Sequence, residues 1–423
     1  MNKFAIIADD QTGAGDSGVH FALAGKPLAL ILDFAAMEGE LAAFNRVVIS
    51  TDSRFLDGVA AARQVETVVK RCLAAGFNKF FKKIDSTMRG NTGSEITAML
   101  AATQCTAALI CPAIPKQGRI CRNAEILVNG LPLAESAMGQ DPFHPLTTSA
   151  IAELLGRQSN LPSCHLSLAD VRGSVEALLA KVDSALARGC RLLIADAVEQ
   201  NDLHKLAELL AIKTELLPVG AAGLAEAISA QEISAGCIAD CAEQAEGRML
   251  AVVGSLTDIS RTQADIAGTS GAFQVLEFDA VAGRADLDRE INRLIAEIQN
   301  APRKHLLLRT QRPNGKEGQT TVDGELVAEL LGQVARAICL QGACRIVFAT
   351  GGSTSMGVAK ALGINAVTIE RELLPGVVLG SCRAPGMQVR WFITKSGGFG
   401  HGRTLQELAE CFVLQTEDKN NHE

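Results

Sequence analysis

Short apolar runs recur along the chain, most of them closed by Gly, Pro, Asp, Ser or Thr and followed by an amphipathic stretch. Residues 4–8, 28–32, 47–50, 79–84, 107–111 and 192–195 are read as strands, because short continuous apolar runs suit strands buried on both faces. Helical patterns such as 58–75 lie between them, and strands alternating with helices imply a doubly wound parallel sheet across roughly the first 230 residues. The alternation resumes with strands at 249–253, 306–308, 345–349 and 389–393 and helices near 260–266, 286–299 and 324–341. Between 228 and 247 the chain turns Ser/Ala/Gly/Cys-rich and acidic, which reads as a linker. The expected fold is α/β with two domains, 1–235 and 245–423. Each is a mostly parallel sheet flanked by helices, with the active site in the cleft between them. Only 416–423 reads as a frayed end.

Length supports the division, since 423 residues exceed the roughly 250–300 at which one core stops growing. A composition 48% hydrophobic but only 4% aromatic, with no tyrosine, suits aliphatic helices on a parallel sheet and argues against a secreted sandwich. The net charge of −7 gives no general attraction to nucleic acid or to an anionic membrane, so an anionic substrate needs locally placed cations. No apolar run approaches the ~20 residues of a spanning helix, and the first residues run into Asp9 and Asp10 without the apolar core of a signal peptide. The expectation is a cytoplasmic protein. Its twelve cysteines are scattered and form no C-x-x-C pair, so reduced thiols are expected. Cys237 and Cys241 lack a second ligand pair, and no metal site in the protein is expected.

Gly13-Ala14-Gly15-Asp16-Ser17-Gly18 follows the first strand and has the form of a dinucleotide fingerprint, with Asp33 twenty residues beyond the first glycine. A pyrophosphate there would meet Asp9, Asp10 and Asp16, which repel it. Read for its carboxylates, the segment can instead grip hydroxyls, bind a cation or take a proton. Asp16 could alternatively cap the helix that follows.

Two other strand ends carry unusual polarity: Thr51-Asp52-Ser53-Arg54, and Lys82 through Asn91. Ligands of open α/β sheets bind outside the carboxyl ends of strands, so both loops are expected to converge with Asp9 and Asp10. Arg54, Lys83 and Arg89 supply cations, and an arginine fork can hold a carboxylate bidentately. Asp85 is a candidate base, although Asp85 and Arg89 could simply be an i,i+4 pair. His144, in the proline-bearing segment 141–145 before a helix expected near 148, could touch substrate or pack under its loop.

In the second half, strand 345–349 runs into Thr350-Gly351-Gly352-Ser353-Thr354-Ser355-Met356-Gly357 and then an Ala/Leu helix. Free N–H groups with no acidic neighbour fit a triphosphate, although the G-K-[ST] ending of a Walker loop is missing. Thr394-Lys395-Ser396-Gly397-Gly398-Phe399-Gly400 and Gly254-Ser255-Leu256-Thr257 also follow strands. Three such loops in one domain make a nucleotide cradle more economical than three unrelated turns.

These segments resemble the four-carbon acid sugar kinases. The resemblance rests on Ala8-Asp9-Asp10-Gln11-Thr12-Gly13-Ala14, on Lys83-Ile84-Asp85-Ser86-Thr87-Met88-Arg89-Gly90-Asn91, on Gly351-Gly352-Ser353-Thr354-Ser355 and on Lys395-Ser396-Gly397-Gly398-Phe399-Gly400, across nearly the whole chain. It implies a sugar-acid domain followed by a nucleotide domain, and phosphorylation of C4 of a tetronate by ATP with Mg2+. Nucleotide contacts would come from Ser255, from Gly351, Gly352, Ser353 and Thr354, and from Gly398 or Gly400. Substrate contacts would come from Asp9, Asp10, Arg54, Lys83, Asp85 and Arg89, with Asp85 or Asp10 as base and Arg89 or Lys83 neutralising charge. Gln11 stands where the family more often has an apolar or aromatic residue, which leaves the exact acid open. The intact Ile84-Asp85-Ser86-Thr87-Met88-Arg89-Gly90-Asn91 block looks more like the threonate and erythronate kinases than the 3-oxo-tetronate branch. The expected partners are the sugar acid, ATP and a second copy in a homodimer. Rival readings are an NAD(P)-dependent dehydrogenase using the GAGDSG segment and a sugar-acid binder without turnover.

Overall fold

The computed structural model describes residues 3–22, 27–33, 36–140, 146–233, 247–254, 257–299, 304–311, 323–342, 344–395 and 397–412. The chain divides into two compact units, Met1–Leu30 with Glu38–Ala239, and Ile31–Met37 with Asp240–Glu423.

The first unit contains β1 (Lys3–Ala8), β2 (Leu28–Ile31), β3 (Arg46–Ser50), β4 (Phe77–Lys83), β5 (Ala107–Cys111), β6 (Arg119–Arg122), β7 (Glu125–Val128), β8 (Leu131–Pro132), β9 (Ser163–Leu166), β10 (Leu192–Ala195) and β11 (Leu216–Gly220). Its main sheet runs β2-β3-β1-β4-β11-β5-β10-β9. From β3 to β9 every neighbouring pair is parallel. β3, β5 and β10 are buried along their whole length, as continuous apolar runs between two helical layers must be. The register sets Ala8 opposite both Ser50 and Lys83, so β1, β3 and β4 stop at one level and release their loops side by side. β6, β7 and β8 form a separate antiparallel sheet.

The second unit contains β12 (Met249–Val253), β13 (Phe273–Phe278), β14 (His305–Thr310), β15 (Ile346–Thr350), β16 (Ala366–Leu374), β17 (Val377–Cys382) and β18 (Trp391–Lys395), in the order β13-β14-β12-β15-β18-β17-β16. β17 runs antiparallel to both its neighbours and the remaining pairs are parallel. Met249, Phe273, Phe348, Ile393 and Leu405 anchor its core. Val253, Thr350 and Lys395 share a level, so the loops after β12, β15 and β18 also emerge together.

The α/β class and the mostly parallel sheets agree with the expected fold. Individual boundaries differ: the strand expected at 389–393 is Trp391–Lys395, and the helix expected near 148 is Ile151–Gly156. Not every thiol is reduced. Cys164 on β9 and Cys190 just before the adjacent β10 are brought to a Cα separation of 6.0 Å and are disulfide-bonded. Among the described residues no helix is long and apolar enough to cross a membrane, and no cluster of three His, Cys, Asp or Glu could hold a metal ion. Cys237, Cys241, His144, Ser255 and the segment 416–423 lie outside the described residues.

Candidate active site

At the level where β1, β3 and β4 end, Arg54 holds the two aspartates that follow β1. Its Nε donates to Asp9 Oδ2 at 2.7 Å, NH1 to Asp10 Oδ2 at 3.0 Å, and NH2 lies 2.8 Å from Asp10 Oδ1. The backbone reinforces this, because the N–H groups of Ser53 and Arg54 both donate to the Asp9 carbonyl. Burial alone would lower the Arg54 pKa, but Asp9 and Asp10 more than offset it and raise it above the ordinary value. Asp9 Oδ1 and Gln11 Nε2 are buried without a hydrogen-bond partner. Such an acceptor and donor are groups that a polyol can satisfy.

The loop after β4 presents a second fork. Arg89 donates from Nε to Asp85 Oδ2 and from NH2 to Asp85 Oδ1, each at 3.0 Å, while the Thr87 hydroxyl and amide donate to the same carboxylate. The pair is i,i+4 as anticipated, but it sits in a loop, since the next helix begins at Thr92. Gly90, at φ 92°, allows a close crossing: a Cβ there would lie 3.1 Å from Arg54 Cγ. A cavity of about 220 Å³ opens beside this loop, lined by Arg89, Gly90, Arg157 and Gln158 among others.

The two candidate bases have opposite environments. Burial pushes the Asp10 carboxyl above its usual value, with Arg54 opposing and Asp9 adding to the rise. Burial acts the same way on Asp85, but the Arg89 fork, the Arg54 charge and the Thr87 hydroxyl hold it well below the carboxylate range.

The GAGDSG segment is no loop. Gly13 to Gly18 lie inside helix Gln11–Ala22, which starts directly after Asp10, and the Gly13 N–H donates to Asp10 Oδ1 at 3.0 Å. The dehydrogenase reading therefore loses its pyrophosphate site, and Asp16 is mid-helix and caps nothing. Gly13 serves proximity: a Cβ would lie 2.6 Å from both Asp10 Oδ1 and Lys83 Nζ. Lys83 is itself buried and donates to the Ile84 carbonyl at 3.0 Å.

Beneath these loops lies a network the sequence reading did not single out. Fully buried Lys82 and Glu95 pair at 2.6 Å, Glu95 accepts from the Ser53 hydroxyl at 2.5 Å, and Ser53 meets Thr51 at 2.7 Å. Removing one member of a buried ion pair typically costs about 3–5 kcal/mol, so this network fixes the β3 loop that carries Arg54. Arg119 at the start of β6 was also missed. Its NH1 donates to the Ser86 hydroxyl at 2.8 Å. Four-residue β6 carries too short a pattern to mark it as part of the site.

In the second unit, Gly351 at φ 91° links β15 to helix Gly352–Leu362, whose first turn contains no acidic residue. The Gly351 N–H is already donated to the Lys395 carbonyl, which leaves the amides of Gly352, Ser353 and Thr354 as the orphan donors of the first turn. A Cβ on Gly352 or Gly398 would meet nothing within 4 Å, so both flank open space. Gly254 and Gly400 differ: a Cβ would lie 2.6 Å from Thr354 Oγ1 and 2.5 Å from Thr404 Oγ1, respectively. Thr354 is buried against Gly254, and Ser353 is exposed. Thr257 and Ser260 donate to the Gly397 carbonyl at 3.0 and 2.8 Å, while Gln263 and Lys395 donate to that of Phe399 at 3.1 and 3.0 Å. Lys395 is buried, and burial lowers its pKa to about 8.

Residues 4–228 match the family described as a sugar-binding N-terminal domain, and residues 250–405 match a nucleotide-binding C-terminal domain. That pairing defines a two-domain protein with a sugar-binding and a nucleotide-binding half. The chain belongs to the four-carbon acid sugar kinase family. It is 33% identical to a D-threonate kinase of Salmonella typhimurium, over 95% of this chain and 96% of the relative. A D-erythronate kinase of Heliobacterium modesticaldum is 27% identical over 95% of each chain. A 3-oxo-tetronate kinase of Methylobacterium radiotolerans is 29% identical over 95% of this chain and 98% of its own. A Haemophilus influenzae protein of known structure shares the fold, with a TM-score of 0.77 at 22% identity over 96% of this chain and 99% of that one.

Proposed function

We propose that this chain transfers the γ-phosphoryl group of ATP to the terminal C4 hydroxyl of a four-carbon sugar acid, D-threonate or D-erythronate. The observation that carries the reading is the Asp9–Asp10–Arg54 cluster at three level strand ends, with a buried carboxylate oxygen and a buried amide still unpartnered. The glycine loops of the second unit support the nucleotide half, since Gly352 and Gly398 flank open space beside a helix start without acidic residues. The names of the relatives support the acceptor class, and D-threonate kinases at 33, 32 and 31% identity favour threonate within it.

In this reading Asp10 accepts the C4 hydroxyl proton as the new O–P bond forms and the bond to the β-phosphate oxygen breaks, releasing ADP. Asp10 suits that role better than Asp85 because its proton affinity is raised, whereas Asp85 is committed to Arg89. Arg54 holds Asp10 in place through two nitrogens. Lys83 stands beside Asp10 to offset charge. Mg2+ bound with the nucleotide would supply charge neutralisation on the phosphates.

The test is incubation with ATP, Mg2+ and a panel of tetronates, following ADP release and NAD(P)H absorbance together. Acid-dependent ADP release supports the kinase. Binding of a tetronate without turnover would replace it with a sensor.

A further inference from the structure

We propose that Arg119 is the guanidinium that grips the substrate carboxylate, a role that rests on the sugar-acid reading above and that Arg54 and Arg89, each already forked onto aspartates, leave open.

The argument begins with the donors already committed. Arg54 spends Nε, NH1 and NH2 on the carboxylates of Asp9 and Asp10. Arg89 spends Nε and NH2 on both oxygens of Asp85. With Lys83 beside Asp10, the carboxylates of Asp9, Asp10 and Asp85 are matched by Arg54, Lys83 and Arg89. Arg119 stands outside that balance. Its NH1 bonds to a neutral hydroxyl, that of Ser86, its Nε is buried without a partner, and among the described residues it forms no ion pair with a carboxylate. A guanidinium beside Asp85 and Ser86 with an unsatisfied buried donor is what a planar carboxylate can complete, two oxygens to two nitrogens.

The backbone holds this side chain firmly. The Arg119 carbonyl accepts from the Ile114 amide at 2.8 Å and the Arg119 amide donates back to the Ile114 carbonyl at 3.2 Å. Gly118, at φ 71°, makes the turn into β6 so close to Asn129 that a Cβ would lie 2.0 Å from its Oδ1. Burial lowers the Arg119 pKa from its ordinary value, with Asp85 opposing and Arg89 adding to the fall. Asp16 also opposes the fall.

The test uses Arg119→Gln, which keeps a donor for Ser86 without charge, and Arg119→Lys, which keeps charge without the fork. Each is compared with wild type by calorimetric titration with D-threonate, D-erythronate and the uncharged tetritols threitol and erythritol, then by kcat/KM with ATP. Melting temperatures are followed throughout. Loss of one charge-assisted contact predicts tetronate binding roughly 10- to 100-fold weaker in Arg119→Gln, partly recovered in Arg119→Lys. Tetritol binding and the KM for ATP should stay the same in all three. Tetronate affinity within threefold of wild type in Arg119→Gln overturns the assignment, as does a wild type that binds no tetronate or binds acid and tetritol equally. Arg119-dependent tetronate binding without ADP release would sustain Arg119 while sinking the kinase reading. An active kinase indifferent to Arg119→Gln would do the reverse.

Discussion

Asp10 and Asp85 are both polar residues just past an apolar run, and in the sequence they look interchangeable as bases. What separates them is how the charge is shared in space: Arg54 divides its donors between Asp9 and Asp10, whereas Asp85 has a fork of its own. Arg89 closes a bidentate fork on Asp85, while burial raises the proton affinity of Asp10. Asp10→Asn should therefore lower kcat by roughly 10²- to 10⁴-fold. Its acid limb is the sharper signature: the base must be ionised, so wild-type kcat should fall off at a pH above that of an ordinary aspartate, and the variant should lack that limb. Asp85→Asn should act more through stability, costing about 1–3 kcal/mol by denaturant titration at neutral pH. Because the folded pKa of Asp85 is depressed, this stabilisation is complete above the ordinary aspartate value of 3.8 and lost as pH falls toward the folded value. The gap between wild type and variant should then shrink in acid. A kcat loss larger in Asp85→Asn than in Asp10→Asn would return the base to Asp85.

At the scale of elements, the strand-end loops were legible because apolar runs followed by Asp, Arg, Lys or Gly stand out against a doubly wound pattern. Other elements gave no such signal. β6, β7 and β8 are too short for a period to register, so Arg119 stayed hidden, and β16 bears Glu370, Arg371 and Glu372, which break any apolar run. The glycines at 13–18 read as a loop but fold as helix, where Gly13 permits the approach of Lys83 to Asp10. Sequence likewise could not divide Gly352 and Gly398, which face open space, from Gly254 and Gly400, which serve packing. Gly352→Asp should abolish ATP binding by calorimetry through the charge it places at the helix start, while leaving the melting temperature nearly unchanged. Retained affinity would remove the nucleotide from this loop. Lys395 offers a pH test: with its folded pKa lowered to about 8, the unfolded chain binds the extra proton above that pH. The stability of wild type relative to Lys395→Met should rise between about pH 8 and 10.5, by up to about 1.4 kcal/mol per unit. A flat difference would mean the ammonium is not held in that state.

For the whole molecule, composition and length indicated two α/β domains, and both units use one device: adjacent parallel strands that end level and release polar loops together. The net charge of −7 made local cations a requirement for an anionic substrate, and Arg54, Lys83, Arg89 and Arg119 gather within one unit. The exact acid was not legible, because it depends on which buried donors and acceptors remain unpartnered after folding, Asp9 Oδ1, Gln11 Nε2 and Arg119 Nε here. The most direct test of the proposed activity is phosphorus NMR of a reaction containing the protein, ATP, Mg2+ and D-threonate or D-erythronate. The account predicts ADP in step with a phosphate monoester whose signal is split by the two C4 methylene protons, and no such product without the acid. ADP formed equally without acid, or no phosphorylated product from either tetronate, would contradict it.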